Sequence, residues 1–347
     1  MIALDGLNFT ALSEFDAILD VRSPSEFAED HMPNAISCPV LSDEERARVG
    51  TVYKQDSPFA ARKIGAALVA RNAAHHIETQ LSHHDGAWRP LVYCWRGGQR
   101  SNSFATILRQ IGWRAEVVEG GYRAYRRLVV ARLYEQPLGL RIIRLDGNTG
   151  SAKTEILNRL EARGVQVLDL EGMARHRGSS LGQMAGAQPS QKAYESAIAA
   201  KLSRFDPSRP VLVEAESARI GTLRIPPMLW VAMRDSPRIM LDISPAARAT
   251  YLAKAYADLT ADQAEFAARL EHLRGLQSNE RLDQWQDMIR QGAWPDLALE
   301  LIKHHYDPAY ARLRSTEAEA SQMMRITKDS LGPAEIAQIV DEIEAAL

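Results

Sequence analysis

Short apolar runs alternate with polar stretches of helical spacing along the first part of the chain. Four of these runs predict buried strands, at residues 17–22, 35–40, 90–95 and 115–121. Residues 101–112 predict a helix that stops at Gly112. Ser23, Pro24 and Glu26 stand in the order of a capped helix start. Strands that alternate with helices are typical of a parallel sheet.

The alternation restarts after a turn-rich stretch that contains Pro137 and Gly139. Further strands are predicted at residues 141–147, 165–170, 210–217 and 238–243, with a helix at 152–164. Residues 41–88 form a long polar insertion with helical periodicity at about 58–74. The fold class is therefore α/β, with a parallel-sheet domain at 1–133, a linker at 134–140, and a second α/β domain at 141–347 that is mostly helical from about residue 244.

Length, charge and cysteine usage narrow the class of protein. A chain of 347 residues is longer than the chains that usually fold around one hydrophobic core, which supports two domains. The net charge of −2 gives no overall field for nucleic acid, so any such site must be a local patch. Two cysteines cannot build a disulfide framework, and no spacing suggests zinc. Without a signal-peptide pattern or a bilayer-spanning run, we expect a cytoplasmic protein with no membrane contact. We also expect no tightly bound cofactor.

The stretch "LVYCWRGGQRSNS" places Cys94 at the carboxyl end of a predicted strand, where parallel sheets carry their chemistry. The loop leads into a helix N-terminus, and its glycines let backbone N–H groups turn inward. These donors, the helix dipole and nearby arginines favour a thiolate over a thiol. We predict that Cys94 is a nucleophile in an anion cradle formed by Arg96, Gly97, Gly98 and Arg100. Cys38, in an apolar run without such a loop, is predicted to fill space in the core.

"RLDGNTGSAKTEIL" has the order of a Walker A phosphate loop between a strand and a helix. The residues predicted to bind phosphate are Gly147, Gly150, Ser151, Lys153 and Thr154. Lys153 would pair with the terminal phosphates, and Thr154 would reach a magnesium ion. Ala152 replaces the usual second glycine, so the loop predicts phosphate binding more firmly than nucleotide specificity. Glu214 and Glu216 end a later apolar run and are candidates for a Walker B acid.

Two stretches of the first domain carry a family resemblance. "DVRSPSEFAEDHMPNAISCPV" followed by "VYCWRGGQRS" resembles the rhodanese, or sulfurtransferase, domains over roughly residues 10–130. Most single-domain rhodaneses space their cysteine and arginine one residue closer. The Cys-x5-Arg length here resembles the loop of the related phosphatases instead. A longer loop makes a wider cradle, for which selenium and phosphate are both candidate groups.

The whole chain resembles the family of tRNA 2-selenouridine synthases. The segments that carry this resemblance are "YCWRGGQRS", "VGTVYKQDSPFAARKIGAALV", "VEGGYRAYRR", "LDGNTGSAKTEIL", "LDLEGMARHRGSSLG", "VEAESARIG" and "KHHYDPAY". The resemblance implies an enzyme that acts on 2-thiouridine at the wobble position of tRNA. It implies that a geranyl group from geranyl diphosphate is first attached to the sulfur, and that selenium from selenophosphate then replaces the geranylthio group. Cys94 would carry the selenium as a perselenide, and the phosphate loop would hold the diphosphate.

A basic segment offers a place for the tRNA. Residues 109–144 contain eight arginines and three glutamates, a local charge of about +5. Tyr122, Tyr125 and Tyr134 lie among them and are candidates for stacking on unpaired bases. The polar loop 171–182 is a second candidate contact. The residues predicted to bind tRNA are Arg123, Arg126, Arg127, Arg132, Arg175 and Arg177.

Two other functions fit the same motifs. One is a rhodanese-type sulfurtransferase or phosphatase fused to a small-molecule kinase, since Cys-x5-Arg and Walker A each allow it. The other makes the phosphate-loop domain a binding module that only anchors RNA, which Ala152 and the missing Walker B aspartate favour slightly.

Overall fold

The computed structural model describes residues 1–7, 12, 14–179, 181–184, 186–214, 217–316 and 322–347. They form two compact units. The first unit comprises Met1–Gln136 and Pro189–Arg204, and the second comprises Pro137–Gln188 and Phe205–Leu347. This division differs from the predicted contiguous domains in one segment, because residues 189–204 group with the first unit. Within these described ranges, no helix has both the length and the apolar character needed to cross a bilayer.

The elements of the first 136 residues run in the predicted alternation. In chain order they are β1 (Ala17–Asp20), α1 (Pro24–Glu29), β2 (Ala35–Ser37), α2 (Asp43–Gln55), α3 (Pro58–Glu78), β3 (Pro90–Tyr93), α4 (Gln99–Ile111), β4 (Glu116–Val117), α5 (Gly121–Val130) and a π-helical turn at Ala131–Glu135. The strands pair in parallel in the order β2-β1-β3-β4. The predicted parallel sheet is thus confirmed, with strands shorter than the apolar runs.

Local sequence signals account for several helix boundaries in the first unit. Ser23 caps α1 in a capping box with Glu26, as predicted. The insertion at 41–88 folds into α2 and α3, and α3 extends to Glu78, beyond the predicted end near residue 74. The core packs buried side chains of the strands, such as Leu19 and Val92, against Phe104 of α4. The sheet therefore presents the carboxyl end of β3, and the residue after it, at a fixed place.

The elements of the remaining chain begin with the phosphate-loop strand. They are β5 (Ile142–Gly147), α6 (Lys153–Ala162), β6 (Gln166–Leu168), α7 (Leu170–Ala174), α8 (Gln191–Leu202), β7 (Val211–Glu214), β8 (Arg219–Ile220), β9 (Leu223–Arg224), α9 (Pro227–Arg234), β10 (Arg238–Ile243), α10 (Pro245–Ala255), α11 (Ala257–Thr260), α12 (Gln263–Leu270), α13 (Asn279–Gln291), α14 (Trp294–Leu301), α15 (Asp307–Thr316), β11 (Gln322–Lys328) and α16 (Pro333–Ala346). Short 3₁₀ and π turns lie at Glu271–Leu273 and Ile302–Tyr306.

The second unit contains a parallel sheet in the order β11-β10-β5-β7-β6. β5 is its central strand and is buried throughout, including the charged residues Arg144 and Asp146 of its sequence IIRLDG. The region after Ser244 is largely helical, as predicted, and packs around Trp285. It also contains β11, which the sequence pattern did not predict. β11 lies at the edge of the sheet and is mostly exposed, so it lacks the apolar run of a buried strand.

Candidate active sites

The cysteine loop makes a tight turn between β3 and α4. Gly97 has a φ of +65°, and a Cβ there would lie 2.5 Å from the carbonyl oxygen of Val118. Gly121, at the start of α5, closes the other side, because its Cβ would lie 2.3 Å from the carbonyl oxygen of Cys94. Gly98 has an ordinary φ of −97° and open space around it. The turn thus requires Gly97 and Gly121, and the double glycine "EGGY" was the available sequence signal for the second.

The environment of Cys94 favours its ionised form. The sulfur is buried and lies 3.2 Å from the hydroxyl oxygen of Ser101. Burial alone would raise the pKa of Cys94, but hydrogen bonds from Ser101, the charge of Arg100 and the backbone N–H of Arg96 outweigh it and hold the pKa below the ordinary value. Cys38, by contrast, is fully buried in the core, and burial raises its pKa to about 12. The two cysteines therefore differ in chemistry as well as in position.

Arg100 is oriented by a buried carboxylate. Its Nη1 lies 2.9 Å from Oε2 of Glu26, and the same oxygen lies 3.0 Å from Nε of Arg46. Glu26 also accepts the backbone N–H of Ser23 at 3.1 Å. The carboxylate holds Arg100 beside the thiolate while it neutralises part of the surrounding positive charge. Arg96 is exposed and contributes its backbone N–H to the loop.

The phosphate loop surrounds a cavity of about 450 Å³ at the N-terminus of α6. Lys153 donates from Nζ to the carbonyl oxygen of Gly147 at 2.8 Å, which folds its side chain back along the loop. Gly150 has a φ of +86°, and a Cβ there would lie 2.8 Å from Cγ of Leu252. Ser151, Lys153 and Thr154 line the cavity together with Gly150. Backbone N–H groups, the positive end of the helix dipole and an ammonium group therefore border one cavity, an arrangement that suits an anion.

Ala152 stands at the position where Walker A loops usually have a glycine. It adopts the left-handed conformation, with φ 58° and ψ 23°. Its methyl group is buried in the hydrophobic cluster beneath α6. The loop therefore keeps the backbone shape of a phosphate loop at the cost of placing a Cβ in a region that favours glycine.

An ion pair between buried Arg248 and half-buried Asp307, which the sequence analysis missed, supports the phosphate loop. Arg248 of α10 makes two hydrogen bonds to the carboxylate of Asp307, at 2.9 and 2.7 Å. It also donates to the carbonyl oxygen of Thr149 at 3.2 Å, while Asp307 accepts from Asn148 at 2.8 Å. The pair ties two distant helices to the loop. Its sequence signal was weak, because the two residues are far apart and only Asp307 lies within a segment of the family resemblance.

The carboxylates that line the cavity differ from the candidate Walker B acids. Glu214 is buried, accepts the backbone N–H of Glu171 at 3.0 Å and is not among the lining residues. Burial, followed by the charges of Asp169 and Glu171, raises the pKa of Glu214 well above its ordinary value. Asp169 and Glu171 do line the cavity. Glu216 lies outside the described residues. Among the described residues, no group of three or more His, Cys, Asp or Glu side chains could hold a metal ion by itself.

The arginines predicted to bind tRNA fall into different environments in the first unit. Arg123 and Arg127 are exposed on α5, while Arg132 is half-buried and burial lowers its pKa. Arg126 forms an ion pair with Glu195, a buried residue of α8. Glu195 also accepts hydrogen bonds from Tyr134 at 2.5 Å and Gln191 at 2.9 Å. Arg126 thus ties α8 to α5, whereas Arg123 and Arg127 are exposed and their contact with tRNA stays a prediction.

The tyrosines of the same segment do not fit the stacking role expected of them. Tyr122 and Tyr125 are buried, and the hydroxyl of Tyr122 donates to Asp30 at 2.6 Å. Both lie on the face of α5 that also carries Val129, with the spacing of an apolar helix face. Their assignment to base stacking was therefore wrong. Tyr134 is partly exposed, with its hydroxyl engaged by Glu195.

The polar loop after α7 contributes residues to the cavity beside the phosphate loop. Arg175 is exposed in a left-handed conformation. His176 and Arg177 line the cavity. Arg177 pairs with Asp258 at 2.7 Å, and its guanidinium lies 4.7 Å from the ring centre of Tyr256. Arg177 therefore lines the same cavity as the phosphate-loop residues, and its predicted contact with tRNA stays a prediction.

Two family models match the chain in the order of its two sites. A rhodanese-like domain matches residues 9–128, which contain the cysteine loop. The AAA domain of tRNA 2-selenouridine synthase matches residues 140–292, which contain the phosphate loop. The resemblance found in the sequence segments is thus confirmed for both domains.

Curated relatives agree with these models. A tRNA 2-selenouridine synthase of Nitrosomonas europaea is 35% identical over 246 residues, and the match spans 70% of this chain and 63% of the relative. One of Aeromonas salmonicida is 33% identical, with 84% of this chain and 86% of the relative covered. One of Hahella chejuensis is 31% identical, with 87% and 86% covered. The chain therefore belongs to the tRNA 2-selenouridine synthase family.

Proposed function

We propose that the protein converts 2-thiouridine to 2-selenouridine at the wobble position of tRNA, through an S-geranyl intermediate. The donors are geranyl diphosphate and selenophosphate. The observation that carries this proposal is the presence, in one chain, of a thiolate-stabilising loop at Cys94 and a phosphate loop at Lys153. The names of the relatives support the tRNA substrate and the selenium product. A cytoplasmic location stays a prediction.

The phosphate loop would carry out the geranyl step. The sulfur of 2-thiouridine attacks the first carbon of the geranyl chain, the carbon–oxygen bond breaks, and diphosphate leaves with the bonding electrons. The proton on the uridine nitrogen is lost to solvent. Negative charge grows on the leaving oxygen, where Lys153 and the loop N–H groups stabilise it. Alkylation turns the sulfur into a better leaving group for the next step.

Magnesium fits the cavity as an ion held jointly with the diphosphate. Magnesium prefers oxygen ligands, keeps several waters and binds through one or two carboxylates plus phosphate. The hydroxyl of Thr154 and the carboxylate of Asp169 line the same cavity and would supply such oxygens. The ion would add charge stabilisation to that of Lys153.

The cysteine loop would release selenium from selenophosphate. Attack of a Cys94 thiolate on selenium would expel phosphite and form the expected perselenide. The selenium of a perselenide is two electrons more oxidised than the selenium of the product, so this route would need a reductant. Attack on phosphorus needs none. The sulfur–phosphorus bond forms, the selenium–phosphorus bond breaks, and selenium keeps the electron pair. Selenium then displaces geranylthiol at the uridine carbon, and water hydrolyses the phosphocysteine to phosphate. The Cys-x5-Arg length suits this phosphoryl transfer.

Nucleoside mass spectrometry tests the proposal directly. The purified protein is incubated with an RNA that carries 2-thiouridine. Geranyl diphosphate alone should give the S-geranyl nucleoside, and addition of selenophosphate should give 2-selenouridine. Acid-quenched protein should carry a phosphoryl group on Cys94. An unchanged nucleoside, together with ATP turnover in the absence of RNA, would instead support the fused sulfurtransferase or phosphatase and kinase.

A further inference from the structure

We propose that the groove between α2, α3 and the first turn of α4 binds the single-stranded anticodon loop and leads its wobble nucleotide to Cys94. This inference rests on the proposed function and adds an RNA site that the sequence analysis did not place. The groove belongs entirely to the first unit.

The groove is large and is made by the polar insertion. It has a volume of about 930 Å³, which is the size of a site for one or two nucleotides and far larger than one tetrahedral anion needs. Leu41 and residues of α2 and α3 form most of its walls, and Gln99, Arg100 and Ser103 of α4 complete it. α2 has no buried residue along its length, so packing alone does not explain its sequence.

The charge of the groove suits a nucleic-acid backbone. Its charged lining residues are Arg46, Lys54, Arg62 and Arg100, and no carboxylate is among the lining residues. Arg46 and Arg100 share Glu26. Lys54 and Arg62 have no ion-pair partner within the described part of the chain. These two cations, one on each helix, are therefore available for phosphate groups.

An aromatic side chain in the groove suits an unpaired base. Tyr53 lines the groove and is 56% exposed. Single-stranded RNA is commonly held by bases that stack on exposed aromatic rings beside a positively charged track. Tyr53 and Lys54 are adjacent in sequence, so a base and its phosphate can be held together.

The groove ends at the helix turn that holds the nucleophile. Arg100 lines the groove, and its charge also lowers the pKa of Cys94. Ser101, the next residue, lies 3.2 Å from the sulfur of Cys94. A loop that fills the groove is therefore brought to the part of the protein where selenium is released.

Two matched double variants test the site. The probe is an anticodon stem-loop RNA with 2-thiouridine at the wobble position, titrated by fluorescence anisotropy at several salt concentrations. Lys54→Ala with Arg62→Ala removes one groove cation from each helix, whereas Arg48→Ala with Lys63→Ala removes one exposed cation from each helix outside the groove. The first pair should flatten the salt slope by up to two contacts, each worth about −0.7 to −0.9, while the second should leave it unchanged. Equal slopes in the two variants would overturn the proposal.

Tyr53 gives a second test that does not depend on charge. Tyr53→Ala should weaken binding about five-fold or more, and Tyr53→Phe should retain it because the ring is kept. Loss of binding in both, or in neither, contradicts stacking. Equal thermal melting and equal alkylation of Cys94 establish that the variants are folded. Nucleoside conversion by the wild type tests the proposed function separately from the groove. If the wild type converts the nucleoside but the groove variants bind RNA normally, the proposed function stands and the groove proposal is wrong.

Discussion

The cysteine loop and the phosphate loop share one backbone plan but handle charge in opposite ways. Each joins a buried parallel strand to a helix N-terminus through a glycine at positive φ, Gly97 in one and Gly150 in the other. In the first, the protein supplies the anion itself, as the thiolate of Cys94. In the second, the protein supplies a cation, Lys153, and under the proposed function the ligand brings the negative charge. Under the proposed function, the residue types within a common turn therefore decide whether the anion is a nucleophile or a leaving group.

The two loops also differ in how their charged side chains are held. Arg100 is fixed beside the thiolate by Glu26, so the cation acts on a group already present. Lys153 donates to the carbonyl oxygen of Gly147, and under the proposed function it would exchange that contact for phosphate. We therefore expect that the cysteine loop is arranged before its substrate arrives, whereas the phosphate loop completes its interactions on binding.

The largest expected effect separates the two loops by function. Cys94→Ser should reduce selenium incorporation by on the order of 10⁴-fold or more, because the hydroxyl does not ionise at neutral pH. Geranyl attachment should continue. Mass spectrometry of both nucleosides gives the readout, and Cys38→Ala is the matched control that should retain both reactions. Normal selenation by the serine variant would remove Cys94 from the nucleophile role.

The second prediction is that a change in the phosphate loop impairs geranyl attachment and leaves selenation intact. Lys153→Ala should slow geranyl attachment by roughly 10²–10³, the usual cost of losing one group that stabilises transition-state charge. Selenation of pre-geranylated RNA should remain normal, and Lys254→Ala, an exposed lysine outside the cavity, should affect neither step. A Lys153 variant that also fails with pre-geranylated RNA would show that the two loops do not work separately.

The third prediction tests whether the thiolate is held in advance. The rate of Cys94 alkylation should rise with pH around a midpoint below that of an ordinary thiol, since its pKa is lowered. Ser101→Ala removes one stabilising contact, which moves the midpoint to higher pH and reduces reactivity at neutral pH by about ten-fold. The variant should recover as pH rises. Cys38 should stay unreactive throughout because its pKa is about 12. A midpoint unchanged by Ser101→Ala would assign the effect to the backbone and Arg100.

The smallest effect concerns the left-handed alanine of the phosphate loop. Ala152→Gly relieves a φ of 58° but loses a buried methyl group and makes the unfolded chain more flexible. We expect a net stabilisation of less than about 1 kcal/mol, measured by urea unfolding. Ala162→Gly, at the last residue of α6, should destabilise by at most about 0.5–1 kcal/mol, the cost of glycine inside a helix, and serves as a control. Destabilisation at residue 152 as large as at 162 would mean that its methyl packing outweighs the strain.

The expectations that failed did so where tertiary packing decides the use of a side chain. Tyr122 and Tyr125 stand among arginines in the sequence, yet their helix turns them into the core. Arg126 and Arg127 are neighbours, and only the position of Glu195 on α8 shows that the first is engaged while the second is exposed. Helical periodicity could have identified the buried tyrosines. No local pattern could have supplied Glu195 as the partner.

The sequence by itself determined the two strand–turn–helix loops, because residues 94–101 and 147–154 are contiguous and glycine, arginine and lysine positions specify each turn locally. It also determined the parallel sheets, through apolar runs that must be buried. Tertiary structure alone brought Glu26 to Arg100, and Arg248 with Asp307 to the phosphate loop. It likewise formed the groove between α2, α3 and α4. These contacts join residues far apart in the chain, and which surfaces pack together depends on the whole fold rather than on any one segment.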